Sequence, residues 1–293
     1  MPVAVLTTDP AAPTLEPAAV AALRDAWGGG EVVWHAPDLA AEFALDRVPD
    51  NAGDVRAAFR ARGVDLNLVP DTGRRKRLLL ADMDSTMIGQ ECVDELAAVA
   101  GVGDRVRGIT ARAMNGELAF EEALAARVAL LEGQPEEVVA RVLAERIGYT
   151  AGGAELVATM RAHGAHAALV SGGFTAFTAA VAGRLGFDSH RANTLEIAAG
   201  RLTGRVVPPI LGREAKVAAL HDLTDRLGIG PEAVLAVGDG ANDLGMLGLA
   251  GMGVALHAKP VVAEACALRV DHGDLTALLY LQGYTAEEIV RPA

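Results

Sequence analysis

Asp82 and Asp84 stand two residues apart at the end of the apolar run Leu78-Leu79-Leu80-Ala81. Three consecutive leucines without polar alternation predict a strand covered on both faces, as at the centre of a parallel sheet. Its carboxyl end is then the edge where open α/β sheets bind ligands. Side chains two apart on extended backbone point the same way, so both carboxylates would face one cleft. Two unpaired carboxylates repel, which suits a shared proton or a cation. A solvated turn after the strand is the plainer alternative.

Three further groups follow apolar strands or sit beside them. Ser171-Gly172-Gly173, opening a helix near Phe174, offers a hydroxyl and unobstructed N–H groups to an anion, or is simply a tight turn. Lys216 falls in the amphipathic stretch Arg213 to Leu227. It is one of three lysines among 26 basic residues, although a helix lysine is ordinarily on the surface. Asp239, Asn242 and Asp243 follow the run Ala233 to Val237 and put three oxygen-bearing side chains within five residues. Hard oxygen donors of this kind suit Mg²⁺.

The elements that must position these groups alternate. After Asp84 come some 60 residues of helical spacing, Gln90 to Ala100, Asp104 to Met114, Leu118 to Leu131 and Pro135 to Ile147, an all-helical insert at about 90–148. Strands and helices then alternate to a final helix from Leu275, with a hairpin over Asn193 to Val207 whose turn region holds Gly200 and Gly204. That alternation predicts a doubly wound parallel sheet. Residues 1–72 read differently: strand Val3 to Thr7, helix Pro17 to Trp27, strands Glu31 to His35 and Glu42 to Arg47, helix Ala52 to Arg62, strand Val64 to Val69. This β-α-β-β-α-β order predicts a small α+β ferredoxin-like domain for packing, dimerisation or regulation, since no group with evident chemistry falls in it. The basic run Arg74-Arg75-Lys76-Arg77 reads as a solvated linker before the domain of residues 73–293.

With 51% apolar residues the chain can bury a sizeable core. A net charge of −12 disfavours nucleic acid and anionic membranes as partners, so an anionic substrate needs local positive groups. Cys92 and Cys266 have neither disulfide-framework nor zinc spacing, which fits a reducing cytoplasm. No stretch reaches the roughly 20 apolar residues of a membrane helix, and Met1 to Pro10 lacks a basic targeting start.

In this order, from residue 77 to about 284, the motifs resemble the haloacid dehalogenase superfamily. Asp82-Met83-Asp84-Ser85-Thr86, Glu91, the insert with Met114, Phe120 and Arg127, Ser171-Gly172-Gly173-Phe174, Ala192-Asn193 with Leu202-Thr203-Gly204, Lys216, and Val237 to Asp243 are similar to its phosphoserine phosphatase family. Members commonly have Phe at Met83 and Leu or Val at Met87, changes that stay apolar. The resemblance implies a Rossmann-like sheet with a helical cap, and Mg²⁺-dependent hydrolysis of L-phosphoserine through an aspartyl phosphate, the last step of serine biosynthesis. Another small phosphomonoester, or an amino-acid sensor without catalysis, are the alternatives. Asp82 is implied as nucleophile and Asp84 as general acid and base. Mg²⁺ would be held by Asp82, the Asp84 backbone carbonyl and Asp239, with Asp243 orienting water on the metal. Ser171, Gly172 and Lys216 would hold the phosphoryl group, with Asn242 also on the substrate. Glu91 would pair with the substrate ammonium and Arg127 with its carboxylate, while Met114 and Phe120 cover the apolar side. The resemblance does not reach the first 72 residues, where some relatives carry an amino-acid-binding ACT domain.

Overall fold

The computed structural model describes residues 1–114 and 117–292. The chain begins with β1 (Pro2–Thr7), α1 (Pro17–Trp27), β2 (Val33–Ala36), β3 (Ala40–Ala44), α2 (Ala52–Arg60) and β4 (Asp65–Pro70). The four strands pair antiparallel in the order β2-β3-β1-β4, so each βαβ unit is split by a strand of the other, the ferredoxin-like arrangement. Pro17 suits the first turn of α1, and Gly28 ends the helix in the left-handed region. β3 starts at Ala40 rather than Glu42, because Asp38 takes a φ of 55° in a tight turn that pairs Ala36 with Ala40.

β5 (Leu78–Ala81) opens the second sheet, and the helical insert follows as α3 (Cys92–Val99), α4 (Gly103–Met114), α5 (Phe120–Ala129) and α6 (Glu137–Glu145). The chain continues through α7 (Gly153–Ala162), β6 (His166–Phe174), α8 (Thr175–Leu185), β7 (Ser189–Ala198), β8 (Arg201–Val207), α9 (Arg213–Leu227) and β9 (Val234–Gly238). It ends with α10 (Leu244–Leu249), β10 (Met252–Leu256), α11 (Pro260–Ala265), β11 (Leu268–Val270) and α12 (Ala277–Leu281). The strand order is β11-β10-β9-β5-β6-β7-β8, with only the β7–β8 pair antiparallel. β5 is central and buried on both faces, as its leucines predict. Leu79 and Ala81 join the core on one side, and Leu78 and Leu80 pack with α9 on the other.

The chain winds outward from β5 through β6 and β7, then crosses back to β9. The crevice beyond the carboxyl ends of β5 and β9 is therefore the topological switch point. Ala81 lies between Leu169 and Val237, so Asp82, Ser171 and Asp239 leave the sheet at one edge. The insert spans this edge. Gly89 donates its N–H to the Gly148 carbonyl (3.0 Å) where the insert leaves and rejoins the sheet.

Two further expectations are corrected. Gly204 lies inside β8, and the turn falls on Ala199 and Gly200, both at positive φ. A Cβ at Gly204 would stand 2.9 Å from the Glu132 Cβ, so the glycine lets the hairpin pack closely against the insert. Arg75 and Arg77 of the basic run are exposed as expected, but Lys76 is 6% exposed and donates to the Gly73 and Glu232 carbonyls (2.7 and 2.8 Å). Arg74 donates to Glu42 of β3 through two nitrogens (3.0 and 2.6 Å) and to the Leu281 and Tyr280 carbonyls of α12 (3.0 and 3.2 Å). Composition cannot distinguish a solvated charge run from one whose partners arrive from distant strands.

Candidate active site

Lys216, Ala219, Leu220 and Leu223 lie on one face of α9, and the three apolar members pack on Leu78 and Leu80. Asp82, two residues beyond Leu80, projects to the same side and meets Lys216. The Lys216 Nζ lies 2.6 Å from Asp82 Oδ1 and 2.5 Å from Asp243 Oδ1, and the lysine is 1% exposed. It is therefore not a surface lysine. Burial would lower its pKa, but Asp82 and Asp243 outweigh that and hold the ammonium above its ordinary range.

Gly240 N–H donates to the other Asp243 oxygen (3.0 Å), so both oxygens of this carboxylate are held by protein groups. A Cβ at Gly238 would fall 2.4 Å from the Asp243 Cγ, which explains the glycine before Asp239. Asp239 is approached at the solvent rim by Lys259 (3.4 Å). Oxygens of Asp82, Asp239 and Asp243 lie within 4.8 Å of one another. Three carboxylates here share one buried lysine and one half-exposed lysine. Burial, with Asp243 beside it, pushes Asp82 well above the usual carboxylate range despite Lys216, and burial also raises Asp239. A cluster of hard oxygens with surplus negative charge fits a small divalent cation, which would relieve both shifts.

Asp84 points away from this cluster. Cys92 N–H donates to its Oδ1 (3.4 Å), and a Cβ at Gly173 would stand 3.0 Å from its Oδ2, so it borders the Ser171 segment. Burial, reinforced by Glu91, raises its pKa to about 7. The two carboxylates at the end of β5 thus have different partners, Lys216 and Asp243 for Asp82, and Cys92 with Glu91 nearby for Asp84.

Ser171, Gly172 and Gly173 continue β6 as extended backbone, and α8 starts only at Thr175, so the three residues precede the helix rather than cap it. Ser171 is buried, and its Oγ accepts the Gly173 N–H (2.9 Å), leaving the hydroxyl hydrogen to donate elsewhere. From the insert, the Phe120 ring sits over Gly172, where a Cβ would be 3.1 Å from its Cζ, and against Gly212. Glu91 accepts from the Ser85 hydroxyl (2.9 Å) at the start of α3. Arg127 is half-buried on α5 with its Nε donating to the Ala123 carbonyl (3.2 Å). Burial lowers its pKa, and the charges of Asp94, Glu91 and Asp84 act against that, so these carboxylates are its electrostatic neighbours. The Asn242 side chain folds over Gly240, where a Cβ would be 2.4 Å from its Oδ1. The side chain of Met114 lies outside the described residues. Ser85 and Asn193 stand in the motifs quoted above without a role, and Lys259 stands in none, because only the tertiary structure brings it to this edge.

A family model of haloacid dehalogenase-like hydrolases matches residues 79–248. A phosphoserine phosphatase of Streptomyces coelicolor is 44% identical over 257 residues, covering 86% of this chain and 62% of that protein. The chain thus spans less than two thirds of that relative. A HAD-family hydrolase from Salmonella enterica serovar Typhi superposes with a TM-score of 0.86 at 30% identity, covering 96% of this chain and 97% of that one, both sheets included. A phospho-aspartyl intermediate analogue of phosphoserine phosphatase superposes with a TM-score of 0.65 at 39% identity, over 70% of this chain and 98% of that one. Among the described residues no helix is long and apolar enough to cross a membrane.

Proposed function

The chain belongs to the haloacid dehalogenase-like hydrolases, and we propose that it hydrolyses L-phosphoserine to serine and phosphate, closing a route of serine biosynthesis. The observation that carries this reading is the pair of carboxylates ending β5. Asp82 is locked to Lys216 beside a cation-sized acidic cluster, while Asp84 is raised to about 7 on the substrate side. We place the chemistry in residues 73–293, the cap at about 90–148, and a packing, dimerisation or regulatory role in residues 1–72. A reducing, cytoplasmic setting agrees with the unpaired Cys92 and Cys266.

Asp82, Asp239 and the Asp84 backbone carbonyl would hold Mg²⁺, with Asp243 fixed beside them by Lys216 and Gly240. When bound, the ion supplies positive charge that lowers the repulsion between a carboxylate nucleophile and a phosphate dianion. An ionised Asp82 oxygen attacks phosphorus, and the bond from phosphorus to the serine oxygen breaks as Asp84 gives that oxygen its proton. Asp84, now ionised, takes a proton from the water that attacks the aspartyl phosphate, and the phosphorus–Asp82 bond breaks to release phosphate. Ser171, the Gly172 N–H and Lys216 stabilise charge on the phosphoryl oxygens. Glu91 and Arg127 recognise the ammonium and carboxylate of the substrate, with Phe120, Met114 and Asn242 around it.

A phosphate-release panel tests the reading. L-Phosphoserine should be preferred over phosphomonoesters lacking either charged group, and EDTA should abolish release. Arg127→Ala should depress phosphoserine hydrolysis far more than aryl phosphate hydrolysis. Equal losses for both substrates would remove Arg127 from substrate recognition, and no release from any phosphomonoester would overturn the assignment.

A further inference from the structure

Asn193 stands on β7 directly beside the Ser171 segment, its backbone in register with Phe174. It is 1% exposed, an amide with no access to water, so its hydrogen bonds must be made within the protein. Leu211 N–H can only donate, which fixes Oδ1 as its acceptor (2.6 Å) and turns Nδ2 to the other side. The two Nδ2 hydrogens go to the Leu211 carbonyl (3.1 Å) and to the Gly172 carbonyl (2.8 Å).

The bond to Gly172 has a consequence for the site. In a trans peptide the C=O and the following N–H point in opposite directions, so anchoring the Gly172 carbonyl sets the direction of the Gly173 N–H. That N–H donates to Ser171 Oγ (2.9 Å), occupying an acceptor position of the hydroxyl and leaving its hydrogen to point elsewhere. Neither glycine has a side chain to resist rotation of this peptide, and a Cβ on Gly173 would crowd Ser171 Oγ at 3.1 Å. The same amide ties Leu211, next to Gly212, where the Phe120 ring also rests, just ahead of the helix that carries Lys216.

We propose that Asn193 is a positioning residue for phosphate: by pinning the 172–173 peptide it aims the Ser171 hydroxyl at the phosphoryl group. This rests on the phosphatase reading above. It predicts that Asn193 acts through Ser171, which a packing role alone would not require.

The test is a double-mutant cycle read as the inhibition constant of inorganic phosphate in the Mg²⁺-loaded full chain, with Mg²⁺ affinity and melting temperature measured in parallel. Asn193→Ala should weaken phosphate by on the order of 10-fold, as expected for loss of a buried hydrogen bond, while Mg²⁺ affinity changes less than about 2-fold. In a Ser171→Ala background the same change should have almost no further effect on phosphate, because the group it aims is gone. Asn193→Asp supplies a second variant. It keeps an acceptor for Leu211 N–H but loses the donor to Gly172, so it should weaken phosphate likewise. Additive effects of Asn193→Ala and Ser171→Ala, or unchanged phosphate affinity in either Asn193 variant, would overturn the proposal. Failure of both variants to fold would assign Asn193 to the fold rather than the site and overturn it as well. Wild-type protein that neither binds phosphate nor releases it from an ester would count against the phosphatase reading instead.

Discussion

Two buried polar clusters in this protein are built to opposite rules. Where the first sheet meets the second, Glu42 receives two nitrogens of Arg74 and lies 2.8 Å from His35 Nε2. Close by, Asp65 accepts the N–H groups of Asp271, His272 and Gly273 (2.9, 3.0 and 2.8 Å), and the Asn67 amide pairs with both backbone groups of Arg269. The Asp65, Asn67 and Arg74 groups are all partnered across the junction, while the buried His35 Nδ1 has no partner among the described residues, and these bonds join the two sheets. At the end of β5, by contrast, Asp82, Asp239 and Asp243 crowd within 4.8 Å with a single buried ammonium among them. Arg127 and Asp84 border the same edge, and burial shifts the pKa of each against its charged form. A satisfied cluster holds structure, and a cluster with surplus negative charge suits a cation.

Substitutions should separate the two. The largest effect is expected for Asp82→Asn, which should abolish turnover and phosphoenzyme formation, because an amide cannot form the acyl phosphate. Near wild-type phosphate release would break the distinction at once. Asp84→Asn should cost about 10²–10⁴-fold in kcat through lost acid and base help. Calorimetric Mg²⁺ affinity should stay close to wild type, since only the Asp84 backbone is assigned to the ion.

In the matched cluster the readout moves from rate to stability. Arg74→Ala should destabilise the protein by about 3 kcal/mol in a denaturant titration, because it strands Glu42 in a mostly buried site. kcat, measured well below the unfolding transition, should hardly move. A variant that keeps its stability but loses activity would show that the junction serves catalysis directly.

The smallest effect concerns acid. Burial alone would raise the Glu42 pKa, but the hydrogen bonds and charges of His35 and Arg74 lower it from 4.5 to about 2. A folded-state pKa below the unfolded one stabilises the ionised form. The contribution is therefore complete above pH 4.5 and lost as pH falls toward 2. Glu42→Gln should flatten that limb of the stability profile, seen as melting temperature between pH 5 and 3. An unchanged slope would remove Glu42 from the acid response.

Much of this protein was legible along the chain. Leu78 to Ala81 specify a strand buried on both faces, so Asp82 and Asp84 had to emerge at a sheet edge. Pro17 and Gly28 set the limits of α1, and Arg213 to Leu227 carry α9, because capping and helical spacing are local properties. The order of the motifs was sufficient to expect a doubly wound sheet with its site at one edge. What the chain could not reveal were the partners. Lys216 looks like a surface lysine until β5 and α9 pack and bring Asp82 and Asp243 against it. Arg74 looks solvated until β3 supplies Glu42 and α12 its last carbonyls. Asn193 is one polar residue in a strand until Gly172 and Leu211 close around its amide. Periodicity states which face of an element a residue occupies. Only strand order and the packing of distant segments decide what stands opposite it, and a buried charge or amide takes its role from that opposite group.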